Sequence, residues 1–209
     1  MAATLKVFLV VITVFYRYTG IHGERSCYIE NMENDITNIK KDIEDLKKQI
    51  GTSDKCMGML LVNGLRHRVP DSELTASSMI DNGHGPHRAR LGTQMEGANM
   101  RGGWSAKIKD QNQWIQADLG KIMQVFGVIT QGRISTVHYQ WVTSYKVSYS
   151  TNGSIYKYAV RNNNQIMEGN SDMWTPVLNM FDPVQARYVR INPVSWKATI
   201  SMRFDIIGC

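Results

Sequence analysis

From Cys56 onward the chain alternates apolar and polar residues over short, closely spaced stretches, and this alternation constrains the fold more than any other feature. The stretches are "WIQADLG", "VFGVITQG", "YKVSYS", "YKYAV", "ARYVRINP" and "MRFDIIGC". Ile115, Ala117 and Leu119 share one face of the first, and Tyr145, Val147 and Tyr149 share one face of the third. Successive side chains on a strand point to opposite sides, so period two marks antiparallel strands with one buried face. Between "YKVSYS" and "IYKYAV" lies Thr151-Asn152-Gly153-Ser154, and Asn-Gly is the strongest short hairpin signal. No long helical pattern interrupts, so residues 56–209 are expected to form an all-β sandwich of roughly eight strands.

Residues 24–55 follow a different rule. Ile29, Met32, Ile36, Ile39, Ile43, Leu46 and Ile50 are spaced alternately three and four apart, with charged and amide residues between. Ile29, Ile36, Ile43 and Ile50 take the a positions of a heptad; Met32, Ile39 and Leu46 take d. Asp35 and Asp42 fall at g, and Lys40 and Lys47 fall at e, so a parallel oligomer pairs opposite charges. The seam is too narrow for a core-facing helix and fits a coiled-coil stem, dimeric or trimeric, ended by Gly51-Thr52-Ser53.

Residues 1–23 read as a secretory signal peptide. Lys6 precedes the run "VFLVVITVFY", and Gly20 and Gly23 follow. A run of about ten residues suits a signal core and is too short to span a bilayer. The expected location is therefore extracellular. Beyond the leader, residues 24–55 carry six basic and eight acidic side chains, whereas residues 56–209 carry sixteen basic and ten acidic. The β domain should be drawn to anionic surfaces such as sulphated glycans or acidic lipids. No basic helix or stacking motif points to nucleic acid.

In an oxidising compartment the three cysteines imply disulfides, and an odd number implies a free thiol or a bridge between chains. A bridge from Cys56 to Cys209 would close a loop of about 150 residues and contribute on the order of 4–5 kcal/mol in the chain-entropy model. Cys27, just before the seam, is then placed for an interchain disulfide.

"LTASSM", "RARLG", "GGWSAK", "QWIQADLG", "VITQGR", "WVTSYKVSYSTNG", "GNSDM", "FDPVQARYVRINPVSW" and "SMRFDIIGC" resemble, in order, the successive blocks of a discoidin domain, also called a coagulation factor V/VIII type C domain. The likeness is strongest to secreted discoidin-like proteins of marine invertebrates and runs from Cys56 to Cys209. It implies an eight-stranded jellyroll of the galactose-binding-like kind, with the first and last cysteines bridged and with function in the loops, or spikes, at one end. Trp114, Trp141 and Trp196 lie in or beside strands and are expected in the core. Arg187, Arg190 and Arg203 are expected to pair with carboxylates such as Asp118 and Asp205.

Three loops fall where the family keeps its spikes: residues 79–90, 95–103 and 134–140. They offer Met79, Asp81, Asn82, His84, His87, Arg88, Arg101, His138 and Tyr139 as candidate ligand contacts. Guanidinium and amide groups can donate and accept in pairs, and Tyr139 could stack on the apolar face of a sugar. With few large apolar residues at the tips, this composition favours cell-surface or matrix glycans and glycoproteins over anionic lipid head groups, the alternative through the same loops.

"HGPH" places two histidines three apart, but no cysteine completes a zinc set. Calcium occurs in some members of the family, yet their aspartate-glycine ligand loop is not recognisable here, so neither metal nor cofactor is expected. No G-x-S-x-G, H-E-x-x-H or phosphate-cradling loop is present, so no enzymatic activity is expected. Asn152-Gly153-Ser154 is a glycosylation sequon at an expected hairpin tip. The resulting expectation is a secreted, oligomeric adhesion protein or lectin.

Overall fold

The computed structural model describes Asn38, Lys41, residues 58–97 and residues 99–209. The leader, the heptad seam, Cys27 and Cys56 lie outside the described residues. The β domain belongs to a unit running from Cys56 to Cys209. Its strands are β1 (Met59–Leu60), β2 (Leu74–Ala76), β3 (Trp104–Ser105), β4 (Ile115–Gln131), β5 (Trp141–Ser150), β6 (Lys157–Tyr158), β7 (Met167–Glu168), β8 (Val177–Lys197) and β9 (Ser201–Gly208). All their pairings are antiparallel, and β1, β9, β4, β8, β5 and β6 follow one another across the sheet.

The expected eight strands become nine among the described residues because four of them are short two-residue pieces, while β4 and β8 are long enough to serve twice. β4 pairs with β8 on both sides of an irregularity between Asp118 and Met123, where Gly120 adopts φ +75°. Both ends of β4 nevertheless reach the same loop. Trp114, just before β4, accepts through its carbonyl from Ser77 N, and Arg133, just after it, donates to His84. A strand whose two ends meet one loop must turn back on itself. β4 and β8 therefore bend together at 118–123 and 183–188, as a jellyroll requires. The bend forms the end opposite the loops, where Gln124 and Cys209 also pair through their backbones.

The alternation in the sequence is the alternation of burial. Ile115, Ala117 and Leu119 are buried, as are Tyr145 and Val147, with Tyr149 packed partly against them. Tyr145 is enclosed enough that burial pushes its phenol up to about 12, and its oxygen accepts from Asn179 Nδ2 at 2.9 Å. Among the tryptophans, Trp104 is fully enclosed. Trp114 and Trp141 are only half-buried, against the expectation that they lie in the core, whereas Trp196, also partly buried, packs against it. Asn152-Gly153 also departs from expectation: it lies within the longer connection 151–156 between β5 and β6 rather than forming a two-residue turn. There Asn152 Oδ1 accepts from Ser154 N and Ile155 N, and Gly153 takes φ +77°. Cys209 is disulfide-bonded, and its partner lies outside the described residues.

The arginines of the last strands divide. Arg187 forms the expected bidentate pair with Asp118, through contacts of 2.7 and 2.8 Å, and holds that carboxyl below its usual range. Arg190 does not meet a carboxylate; it donates to Gln116 and lies between the rings of Trp114 and Tyr156, 4.1 and 3.8 Å from their centroids. Arg203 and Asp205 do not pair with carboxylate and guanidinium either. Buried Arg203 donates to the carbonyls of Gly132, Thr93 and Met173 at 2.8, 3.0 and 2.6 Å, and burial pushes its guanidinium down to about 10. Asp205 accepts from the backbone N–H groups of Val62, Asn63 and Ile206, while burial pushes its carboxyl up.

Arg203→Met should leave three carbonyls without donors. Each buried orphan costs about 1–3 kcal/mol, so the urea midpoint should fall by the equivalent of roughly 3–5 kcal/mol. An unchanged midpoint would show that the guanidinium is not what satisfies these groups.

Candidate functional site

Four segments are tied together at the end of the barrel away from the β4 bend. Residues 77–84 meet 105–108 where Ile80 N donates to Ser105 O, and Ser78 Oγ accepts from Lys107 N and Ile108 N. They meet 99–101 where Arg101 N donates to Gly83 O at 3.0 Å. At Gly83 a Cβ would lie 1.9 Å from Asn99 O, so only glycine permits this approach. Residues 133–140 join through Ile134 N to Gly102 O and through Arg133 to His84.

These segments expose apolar side chains among polar ones. Met79, Ile80, Ile108, Val137 and Tyr139 all stand in solvent, Val137 at 71% and Tyr139 at 62% of full exposure. Lys107, Lys109 and His138 are exposed beside them. Exposed apolar groups gathered at one end are candidates for a contact region. Val137 and Ile108 were not among the residues expected to form the site. Ile108 sits in "AKIKDQNQ", outside the three loops read from the sequence, and its one signal is an isolated apolar residue between two lysines.

Beneath the tips runs a polar chain. Asp81 Oδ1 accepts from His84 N at 3.0 Å and contacts His84 Nδ1 at 2.8 Å. Arg133 Nη1 lies 3.1 Å from His84 Nε2. A guanidinium can only donate, so Nε2 accepts, Nδ1 carries the proton, and the imidazole is neutral. The hydrogen bond from His84 holds the Asp81 carboxyl below its usual range. Arg133 is 4% exposed, and its Nε is buried with no partner. Burial first, and the nearby Arg101 second, push its guanidinium down. This site has a cationic floor that its own side chains leave unsatisfied.

The expected contact residues therefore separate. Met79, Asp81, Asn82, Arg101, His138 and Tyr139 lie at the loop end, Asn82 in a short 3₁₀ turn with His84. His84 is there too, but both ring nitrogens are engaged, so "HGPH" does not offer a pair of open imidazoles. Arg88 is a correction. It is buried and spends its donors on Arg101 O at 2.8 Å, Glu96 Oε1 at 3.1 Å and Gln94 O, so it fastens the loop 94–101 rather than facing a ligand. His87 lines a neighbouring polar cleft instead. The segment 95–103 is likewise divided: Glu96 and Met100 pair across a small hairpin beside that cleft, and Arg101 alone turns to the loop end.

Residues 73–206 match the F5/8 type C domain. The chain belongs to that family. Mouse lactadherin is 37% identical over 155 residues, spanning 70% of this chain and 33% of lactadherin. Mouse coagulation factor VIII is 35% identical over 146 residues, 68% of this chain and 6% of factor VIII. The chain thus spans a third or less of the length of these relatives. Discoidin II of Dictyostelium discoideum superposes with a TM-score of 0.58 at 29% identity, over 65% of this chain and 54% of that one. The family 32 carbohydrate-binding module of C. perfringens NanJ, solved with galactose, shares the fold at a TM-score of 0.51 and 18% identity, over 72% of this chain and 99% of the module. Among the described residues no helix is long and apolar enough to cross a membrane.

Arg88 and Arg101 should behave oppositely. Arg88→Ala strands two carbonyls and a carboxylate, and should destabilise the domain by about 2–4 kcal/mol. Arg101→Ala should change stability by under about 0.5 kcal/mol. Paired thermal melts read both; similar shifts for the two would contradict this division of roles.

Proposed function

We propose that the protein is a secreted attachment protein whose loop end docks on membranes carrying anionic head groups. The observation that carries this reading is the set of exposed apolar tips, Met79, Ile80, Ile108, Val137 and Tyr139, above an unsatisfied Arg133 and beside Lys107, Lys109 and Arg101. Apolar side chains at tied loop tips can enter the acyl boundary, contributing about 0.8 kcal/mol per buried CH₂. Each lysine or arginine near an anionic surface adds about 1 kcal/mol. Half-exposed Arg101 offers donors to a phosphate or carboxylate of a head group, and buried Arg133 adds positive charge beneath it. Two of the polar groups that a glycan at these tips could use, His84 and Arg88, are hydrogen-bonded within the protein. This supports the lipid reading over the glycan reading for this end.

A wedge of this size gives weak, reversible binding, and weak sites profit from being joined. The heptad seam 29–50 would gather two or three copies, with residues 24–55 as the stem and Cys27 linking chains. Linked copies make later binding events intramolecular and can raise attachment by roughly 10²–10⁴. Residues 1–23 would direct secretion, and a bridge from Cys56 to Cys209 would close the domain. Asn152, exposed in 151–156, would carry a glycan away from the docking end.

Ile80→Ser combined with Val137→Ser should weaken co-sedimentation with phosphatidylserine-containing vesicles at least tenfold and leave the melting temperature unchanged. Raising salt from about 0.1 to about 0.5 M should weaken it further, because the basic residues are screened. Equal binding by the double variant would remove the loop end from the mechanism. For assembly, non-reducing electrophoresis should show linked chains that Cys27→Ser abolishes; a monomer at micromolar concentration by ultracentrifugation would contradict the stem.

A further inference from the structure

On the wall of the barrel the sheet turns an apolar strip to solvent. Phe204 and Ile206 of β9 lie in the core, so Ile207 points the other way. Ile207 pairs with Leu60 of β1 on one side and Gly127 of β4 on the other, and Gly127 pairs in turn with Met180 of β8. One row therefore crosses four strands, and Ile129 with Leu178 begins the next. At Gly127 a Cβ would lie 2.9 Å from Met180 Sδ and 3.5 Å from Ile207 Cβ, so glycine lets these two side chains close over the strand. Leu178 at 52%, Met180 at 39% and Leu60 at 36% remain exposed, with Ile129 and Ile207 half-buried beside them. We propose that this strip packs against the same strip of a second copy of the chain, an inference that rests on the stem proposed above.

The charge around the strip disfavours an anionic occupant. Segments 58–63, 124–131, 177–185 and 203–209, which build it, contain no lysine and one arginine, buried Arg203. Their exposed charge is Asp182, which follows Leu178 and Met180 in the same outward alternation. Anionic membranes, which Lys107 and Lys109 draw to the loop end, meet no attraction here. An apolar surface without basic residues suits another apolar surface.

Chain connectivity supplies the second copy. The chain enters the domain at the edge of the strip: a Cβ at Gly58 would lie 3.0 Å from the Phe126 ring and 3.2 Å from Ile207 Cγ2, and β1 follows at once. Ile50, the last position of the heptad seam, stands only a short way before Gly58 in the sequence. Extended chain covers about 3.5 Å per residue, so the connection between them reaches at most roughly 28 Å. Copies gathered by the seam therefore hold their strips at effective concentrations of about millimolar. The small size of the strip makes this tether necessary. Stable interfaces enlist about 20–30 residues a side, and this row-and-a-half of side chains is far short of that. The contact belongs to tethered copies, not to free domains meeting in solution.

The test places a photo-cross-linker in the full-length protein as Leu178→benzoylphenylalanine, with Tyr158→benzoylphenylalanine, exposed outside the strip, for comparison. After irradiation and reduction, the first should give a covalent dimer band about tenfold stronger than the second, because only the strip is held against its copy. The cross-linked peptides of the other chain should contain residues 58–60, 126–129, 178–180 or 207. Adding Met180→Lys should weaken the band several-fold at unchanged melting temperature, since it buries an unpaired charge in the contact. Ultracentrifugation of the same samples reads the stem separately. An oligomer in which position 178 gives no more dimer than position 158, peptides from elsewhere on the barrel, or a band that Met180→Lys leaves intact would overturn this contact and leave the stem standing. A monomer would overturn both.

Discussion

The structure depends on a positive charge placed where charge is costly. Arg203 sits in the interior on β9, and desolvating a guanidinium is unfavourable by several kcal/mol unless its donors are met. They are met by the carbonyls of Thr93, Gly132 and Met173, which lie where three separate segments leave the barrel. One side chain therefore fixes three exits. Two residues on, Asp205 does the reverse, accepting backbone N–H groups that follow β1. Neither charge has an opposite charge for its partner; each completes the hydrogen bonding of backbone that no strand could pair.

With the exits fixed, the loops can carry side chains that contribute nothing to folding. Arg88 repeats the device one layer out, binding the carbonyls of Gln94 and Arg101 from a 3₁₀ turn over Pro86–Ala89. Asp81, His84 and Arg133 form a further chain under the tips. At this end a hydrogen-bonded polar chain lies beneath, and apolar side chains stand in water beside exposed Asp81, Lys107, Lys109 and His138.

Much of the barrel was legible in the sequence, because period-two alternation is written by the same side chains that fill the core. The Ile115, Ala117 and Leu119 face, the Tyr145 and Val147 face, and the Arg187–Asp118 pair all follow from it. What was not legible has one physical cause. Arg203, Asp205 and Arg88 bind backbone, and a carbonyl leaves no mark in the sequence of the segment that supplies it. Pairing Arg203 with a carboxylate such as Asp205 was the natural expectation and fails for that reason. The bends in β4 and β8 were hidden likewise, since alternation resumes on the far side of Gly120. At the loop end, burial rather than residue type decided which polar groups remain open, so Arg88 looked like a contact and Ile108 did not.

The central claim is that one end of the domain, and no other part of it, meets the membrane. Paramagnetic broadening of amide signals by spin-labelled phosphatidylserine nanodiscs tests this directly. Residues 79–80, 107–109 and 136–139 should broaden, while Gly120, Lys121 and Gly153 at the far end should stay sharp. Broadening centred on the far end or spread evenly over the barrel, or none at any accessible lipid concentration, would contradict the account.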